Sequence, residues 1–123
     1  MIEYFDMDGN AISFDAFLEL YDRANDKRRV ALDETPEFYI STVLLGLNHE
    51  WRTGYPPLIF ETMIFTRGAD GGFGGGEFQM RYSTKEEALL GHAAAVRYAK
   101  SQGAIVTEFR NIISCALTER LLK

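Results

Sequence analysis

The sequence predicts a single α+β domain, an antiparallel β-sheet forming a meander of at least three strands, packed by two or three helices. Three observations carry this expectation. Three runs rich in β-branched and aromatic residues, Phe38–Leu47, Leu58–Thr66 and Glu77–Tyr82, follow one another with no helical pattern between them. Strands joined without a crossover helix pair antiparallel. Two further stretches, Ser13–Asn25 and Ser83–Gln102, repeat their apolar residues at three- and four-residue steps, the period of an amphipathic helix. Finally, 123 residues with 46% hydrophobic and 25% charged side chains match the size and balance of one globular domain.

In chain order, Ile2–Phe5 is short and apolar-aromatic, and Asp8-Gly9 marks a turn within Asp6–Asn10. Ser13 is suited to cap the first helix, whose apolar stripe is Phe14, Phe17, Leu18 and Tyr21. Arg28–Leu32 reads as a short strand before Pro36 interrupts the chain. The runs Phe38–Leu47 and Leu58–Thr66 are apolar at successive positions and so belong at the centre of the sheet. Glu77–Tyr82 alternates, with Phe78, Met80 and Tyr82 against Glu77, Gln79 and Arg81, which predicts one buried and one wet face. The second helix opens on a capping box, Ser83 with Glu86 or Thr84 with Glu87. Ala88, Leu89, His92, Ala95, Val96 and Ala99 form its less polar stripe, it is expected to pack on the sheet through Leu89, His92 and Val96, and Gly103 is placed to end it. Residues 104–123 are expected to add a helical extension with Ile105, Phe109, Ile112, Ile113, Ala116 and Leu117 along one side, although Ala104–Thr107 fits a strand as well.

Composition excludes several function classes. The formal charge is −5, so the chain lacks the basic face that nonspecific nucleic-acid binding requires. No apolar run approaches the roughly 20 residues of a membrane span, and the acidic start MIEYFDMDGN lacks the basic and apolar regions of a signal peptide. No membrane association and a cytoplasmic location are therefore expected. The single cysteine, Cys115, excludes an internal disulfide and a cysteine-built zinc site.

The most informative segment is Asn48–Pro57. It holds the only tryptophan, Trp51, together with His49, Arg52 and Tyr55. Arginine offers a planar donor fork to phosphate or carboxylate, and tryptophan and tyrosine offer stacking faces. These are groups that a nucleotide-like ligand or a protein partner would use. The plainer alternative is that Trp51 lids the core and the two prolines set the approach to the next strand. Glu61 shares a strand face with Ile59, Met63 and Phe65 by alternation, so its carboxylate must be paired, edge-exposed or protonated. Arg81, Arg52 or His92 are its candidate partners. His92 reads either as a satisfied boundary histidine or, with His49 and Glu61, as part of a hydrolase-type or zinc site.

Other motifs fall short. His49-Glu50 lacks the second histidine of a zincin, since Thr53 stands where it should be. Asp6–Asn10 lacks the spacing of an EF-hand, whose sixth and twelfth positions would be Ala11 and Phe17. The glycine-rich stretch Arg67–Gly76 contains neither a dinucleotide nor a P-loop fingerprint and reads as a hairpin tip, on which Phe73 is a candidate contact. No cofactor and no metal are expected.

Three segments, Ile40–His49, Pro56–Phe65 and Arg81–His92, together with the opening D-x-x-G-N-x-I-S pattern at Asp6–Ser13, resemble a family of small, largely uncharacterised proteins carried by bacteriophages and prophages. The resemblance covers Tyr4 to Val96 and leaves the tail outside. It implies a phage accessory protein acting in the cytoplasm of the bacterial host, and it assigns no activity and no catalytic residues. The family pattern often has glycines after its histidine, where this chain has Glu50-Trp51-Arg52. The functional expectation is a non-enzymatic binder or inhibitor of a host protein or nucleotide-like signal, with His49, Trp51, Arg52, Tyr55, Glu61 and His92 as its binding residues. A homo-oligomer stays open. The alternatives are a small hydrolase using His49, Glu61 and His92, and a minor virion or regulatory protein.

Overall fold

The computed structural model describes residues 3–21, 27–67 and 73–102. The expected α+β architecture is present. Strands β3 (Arg29–Glu34), β4 (Phe38–Leu44), β5 (Phe60–Arg67) and β6 (Phe73–Tyr82) form one antiparallel sheet in sequence order. A two-stranded hairpin, β1 (Tyr4–Phe5) with β2 (Ala11–Ile12), and a short helix α1 (Phe14–Glu19) precede it. A second helix, α2, runs over residues 85–102. The expected helical extension over residues 104–123, with Cys115 in it, lies outside the described residues.

Local chemistry accounts for each start and stop. The Asp6 carboxylate accepts from the backbone N–H of Asp8 and of Asn10, which shapes the β1–β2 turn. The Ser13 hydroxyl caps α1 by accepting from the N–H of Ala16. α1 is shorter than the expected Ser13–Asn25. The N–H groups of Leu20 and Tyr21 reach back three residues, to Phe17 and Leu18, and the last turn tightens and ends. Residues 22–26 lie outside the described residues. The hairpin docks on the sheet through Phe5 N–H to Gly46 O and the Tyr4–Leu47 bridge. Gly46 has φ +77°, and a Cβ there would meet the Phe17 ring, so glycine is required twice over.

β3 is longer than the expected Arg28–Leu32. It turns into β4 through Thr35, whose hydroxyl accepts from the Phe38 N–H and whose own N–H donates to Phe38 O. β4 ends at Leu44 rather than Leu47, and β5 begins at Phe60 rather than Leu58. β6 starts at Phe73, so the last four residues of the glycine-rich stretch are strand. Two register shifts opposite Ile64–Arg67 absorb its extra residues.

The register sorts the side chains onto two faces. Asp33, Ile40 and Ile64 lie in one cross-strand row, Ala31, Thr42, Thr62 and Met80 in the next, and Leu44, Phe60 and Tyr82 in a third. These rows face α2. The other face carries Leu32, Ser41, Met63 and Gln79, then Val43, Glu61 and Arg81, then Tyr39 and Phe65.

α2 is capped by Thr84, not Ser83: the Glu87 N–H donates to the Thr84 hydroxyl, which donates to the Glu87 carboxylate. Its buried stripe is Ala88, His92, Ala95 and Ala99, flanked by the partly buried Val96. Leu89, expected at the contact, is 46% exposed. The stripe is the one read in sequence without Leu89, because small side chains rather than leucines let α2 approach the sheet. Where the Tyr82 ring lies against Gly91, any Cβ would collide with it.

Leu89→Ala is therefore expected to cost less than about 1 kcal/mol in chemical denaturation, well below the loss from truncating a core leucine. Gly91→Ala is expected to destabilise by more than about 1 kcal/mol, although alanine is the better helix former. Equal losses for the two variants would contradict this placement of α2.

Candidate functional site

The six residues singled out in sequence fall in three separate places. His49, Trp51, Arg52 and Tyr55 lie together on the loop between β4 and β5. Glu61 lies on the sheet face opposite α2, and His92 lies beneath α2. The trio His49, Glu61 and His92 is thus not assembled, since the sheet separates Glu61 from His92. Among the described residues no group of three or more histidine, cysteine, aspartate or glutamate side chains is placed to hold a metal.

His92 is the centre of a polar chain that runs from the exposed Asp33 to two buried threonines. Its Nδ1 is 2.7 Å from the Thr42 hydroxyl, which is 2.5 Å from the Thr62 hydroxyl, and its Nε2 is 2.7 Å from Asp33 Oδ2. The Asp33 carboxylate only accepts, so Nε2 carries the proton. With a neutral ring, Nδ1 then accepts from Thr42, and Thr42 accepts from Thr62. The series carboxylate–imidazole–hydroxyl has the order of a catalytic triad. Its hydroxyls are fully buried, at 0% exposure for both threonines, so no substrate reaches them. The chain is a structural joint. Sequence reasoning found His92 but missed Thr42, Thr62 and Asp33. The two threonines did carry a signal, as hydroxyls alternating with Ile40 and Leu44 and with Phe60 and Ile64 on an apolar face, where they must find partners.

Glu61 is paired rather than poised. Its carboxylate accepts from Gln79 Nε2 at 2.7 Å and from Arg81 Nε at 3.0 Å, both presented by β6. Arg81 is directly opposite it in the register.

The loop is built by its own side chains. Asn48 Oδ1 accepts from the N–H groups of Glu50 and Leu58 and closes the base, where His49 N–H also donates to Leu58 O. This Asx turn was readable in sequence and was missed. The Glu50 carboxylate takes the N–H of Arg52 together with its Nε and Nη2, a two-pronged ion pair at 2.8–2.9 Å. The Arg52 guanidinium lies 3.8 Å over the Tyr55 ring. Held this way, the Glu50 side chain is only 4% exposed, and the hydrogen bonds from Arg52 push its carboxyl down to about 2. The donor fork that the sequence offers to a phosphate is thus taken by Glu50. Trp51 is 87% exposed and Tyr55 54% exposed. Trp51 does not lid the core.

The chain matches no family model, no curated protein and no solved structure. Among the described residues no helix is long and apolar enough to cross a membrane.

Two outcomes test this geometry. Thr42→Val is expected to cost about 1–3 kcal/mol, because His92 Nδ1 loses its partner in the interior. Adding Thr62→Val and His92→Leu should recover part of that loss, since the buried partners are then all apolar and the exposed Asp33 carboxylate can turn to water. A triple variant that loses the sum of its single losses would contradict the linked chain. Glu50 gives a pH dependence. Its folded value is depressed from 4.5 to about 2, so the clamp is fully formed above 4.5 and is lost as pH falls toward 2. A carboxyl NMR titration of Glu50 should show its midpoint near 2, and a midpoint at 4.5 would show the clamp open in solution.

Proposed function

We propose that the chain is a non-catalytic binding module whose contact surface is the loop 48–57, acting on a protein partner. The observation that carries this is Trp51, the chain's one tryptophan, held 87% exposed on a loop that is braced from within. Tryptophan, tyrosine and arginine are the residue types most enriched at binding hot spots, and pre-ordering them lowers the entropy lost on association. Engagement of Arg52 with Glu50 favours a protein partner over a nucleotide-like ligand, because the loop offers stacking faces and little free charge. The resemblance to phage and prophage proteins supplies the setting: an accessory protein whose partner is a factor of the bacterial host.

Affinity capture from infected bacterial lysate, with the native chain and Trp51→Ala side by side, tests the reading. A host protein retained by the native chain and lost with Trp51→Ala is the expected result. Stability should change by no more than about 0.5 kcal/mol, as for an exposed substitution away from the core. Retention of the same proteins by both chains would refute it, and a loss of about 3–5 kcal/mol would return Trp51 to the core.

A further inference from the structure

The layer formed by α2 leaves one edge of the sheet open. Neighbouring strands lie about 4.8 Å apart, so a four-stranded face takes two helices, each about 10 Å wide, to cover it. α2 covers β3 to β5: His92 reaches Asp33 on β3 and Thr42 on β4, and Thr62 on β5 is fully buried. On β6 the row of Thr42 and Thr62 ends in Met80, which faces the same side yet is 48% exposed. A second stripe of α2, Leu90, Ala94, Tyr98 and Ser101, runs at steps of four, four and three residues and is exposed throughout, Leu90 to 75%. It borders the open edge. Gly91 lies against the ring of Tyr82 on β6, and Ala94 and Tyr98 stand three and seven residues further along the same side of the helix.

We propose that the chain's own residues 104–123 are the second helix of this layer, running back antiparallel to α2 over β6. Where α2 ends selects this occupant. The helix stops at residue 102, and only Gly103 stands between it and the segment. Helices joined by so short a connection are antiparallel neighbours. A helix over 104–123 spans about 30 Å, against about 27 Å for α2. The two apolar patterns also interlock. Counted back from the turn, Ile105 comes level with Ser101, Phe109 with Tyr98, Ile112 and Ile113 with Ala94, and Ala116 with Leu90. Large residues thus stand opposite small ones at three levels, and the two aromatic residues share the fourth. The charged residues of the segment, Glu108, Arg110, Glu119, Arg120 and Lys123, fall at none of these positions.

NMR of the full chain with methyl-labelled methionine tests the placement. Met80 reports the α2 side of the sheet and Met63 the opposite side. A nitroxide attached to Cys115, the chain's one cysteine, stands two residues from both Ile113 and Leu117 and so off the contact. Expected is paramagnetic broadening of the Met80 methyl signal that clearly exceeds that of Met63. Broadening that is absent, equal for the two, or stronger for Met63 overturns the proposal. So does broadening of Met80 by a nitroxide carried on a separate copy mixed into the sample, which marks a second chain as the cover. Leu90→Lys, a change at a position exposed among the described residues, should lower the melting temperature by more than about 3 °C and weaken the Met80 broadening. Ile112→Asp should do the same, and the two changes together should lower it by less than the sum of their separate effects. A Leu90→Lys chain as stable as the native one, with its Met80 broadening intact, overturns the proposal.

Discussion

The described structure depends on the placement of His92 between two apolar clusters. One cluster, Phe5, Leu44, Ile59, Phe60, Tyr82 and Ala88, lies under the start of α2. The other, Phe38, Ile40, Ile64, Ala95 and Ala99, lies under its later turns. Between them the chain Asp33–His92–Thr42–Thr62 ties the edge strand, the two central strands and the helix with directional bonds. Apolar contact alone is tolerant of sliding, because burial is non-directional. Hydrogen bonds in a dry interior are not, since a helix shifted by one turn would leave each buried partner unsatisfied. The alanines follow from the same constraint. For the His92 ring to reach Thr42 the helix must lie close to the sheet, and leucines at 88, 95 or 99 would hold it away.

This dependence explains which features were legible in the sequence. The sheet was legible because its central strands are apolar at almost every position and its order follows the chain. Pairing rules left little choice once no helix separated the strands. The inward stripe of α2 was legible, Ala88, His92, Ala95, Val96 and Ala99 all lying on it, and only Leu89 was misplaced, because its hydropathy places it on the stripe while its size keeps it out of a contact built by alanines. The extent of α1 was misjudged because its apolar period runs to Tyr21, whereas the backbone tightens after Glu19. β3 was foreshortened because Asp33 and Glu34 are poor strand formers read alone. Asp33 is retained there by its bond to His92, and Glu34 by Arg67 at 2.7 Å.

The candidate site shows the same division. Clustering of aromatic residues marked the loop 48–57 correctly as a unit, because residues near in sequence stay near in any fold. Grouping Glu61 and His92 with it required long-range geometry that no spacing encodes. Sheet register places Glu61 on the face away from α2 and Thr62 on the face toward it. A one-residue change of register would have exchanged them. The role of Arg52 was misread for a related reason. A guanidinium looks free in a sequence, whereas a carboxylate two residues away is its closest competitor for any anion.

The loop and the core are consequently independent systems. Within the loop, Asn48, Glu50, Arg52 and Tyr55 bond to one another and to backbone of the same segment, with two ties across its base to the backbone of Leu58, from Asn48 and His49. None of these contacts draws on the clusters beneath α2. Changes to Trp51 can therefore alter recognition without passing through stability, the condition under which a surface can vary while its scaffold is held fixed. The internal clamp also decides what kind of recognition remains. An arginine that is already paired adds little for an incoming anion, which would have to displace Glu50 and leave that carboxylate without its partner. An apolar pocket has no such competitor, because it needs only the indole face that the clamp leaves uncovered.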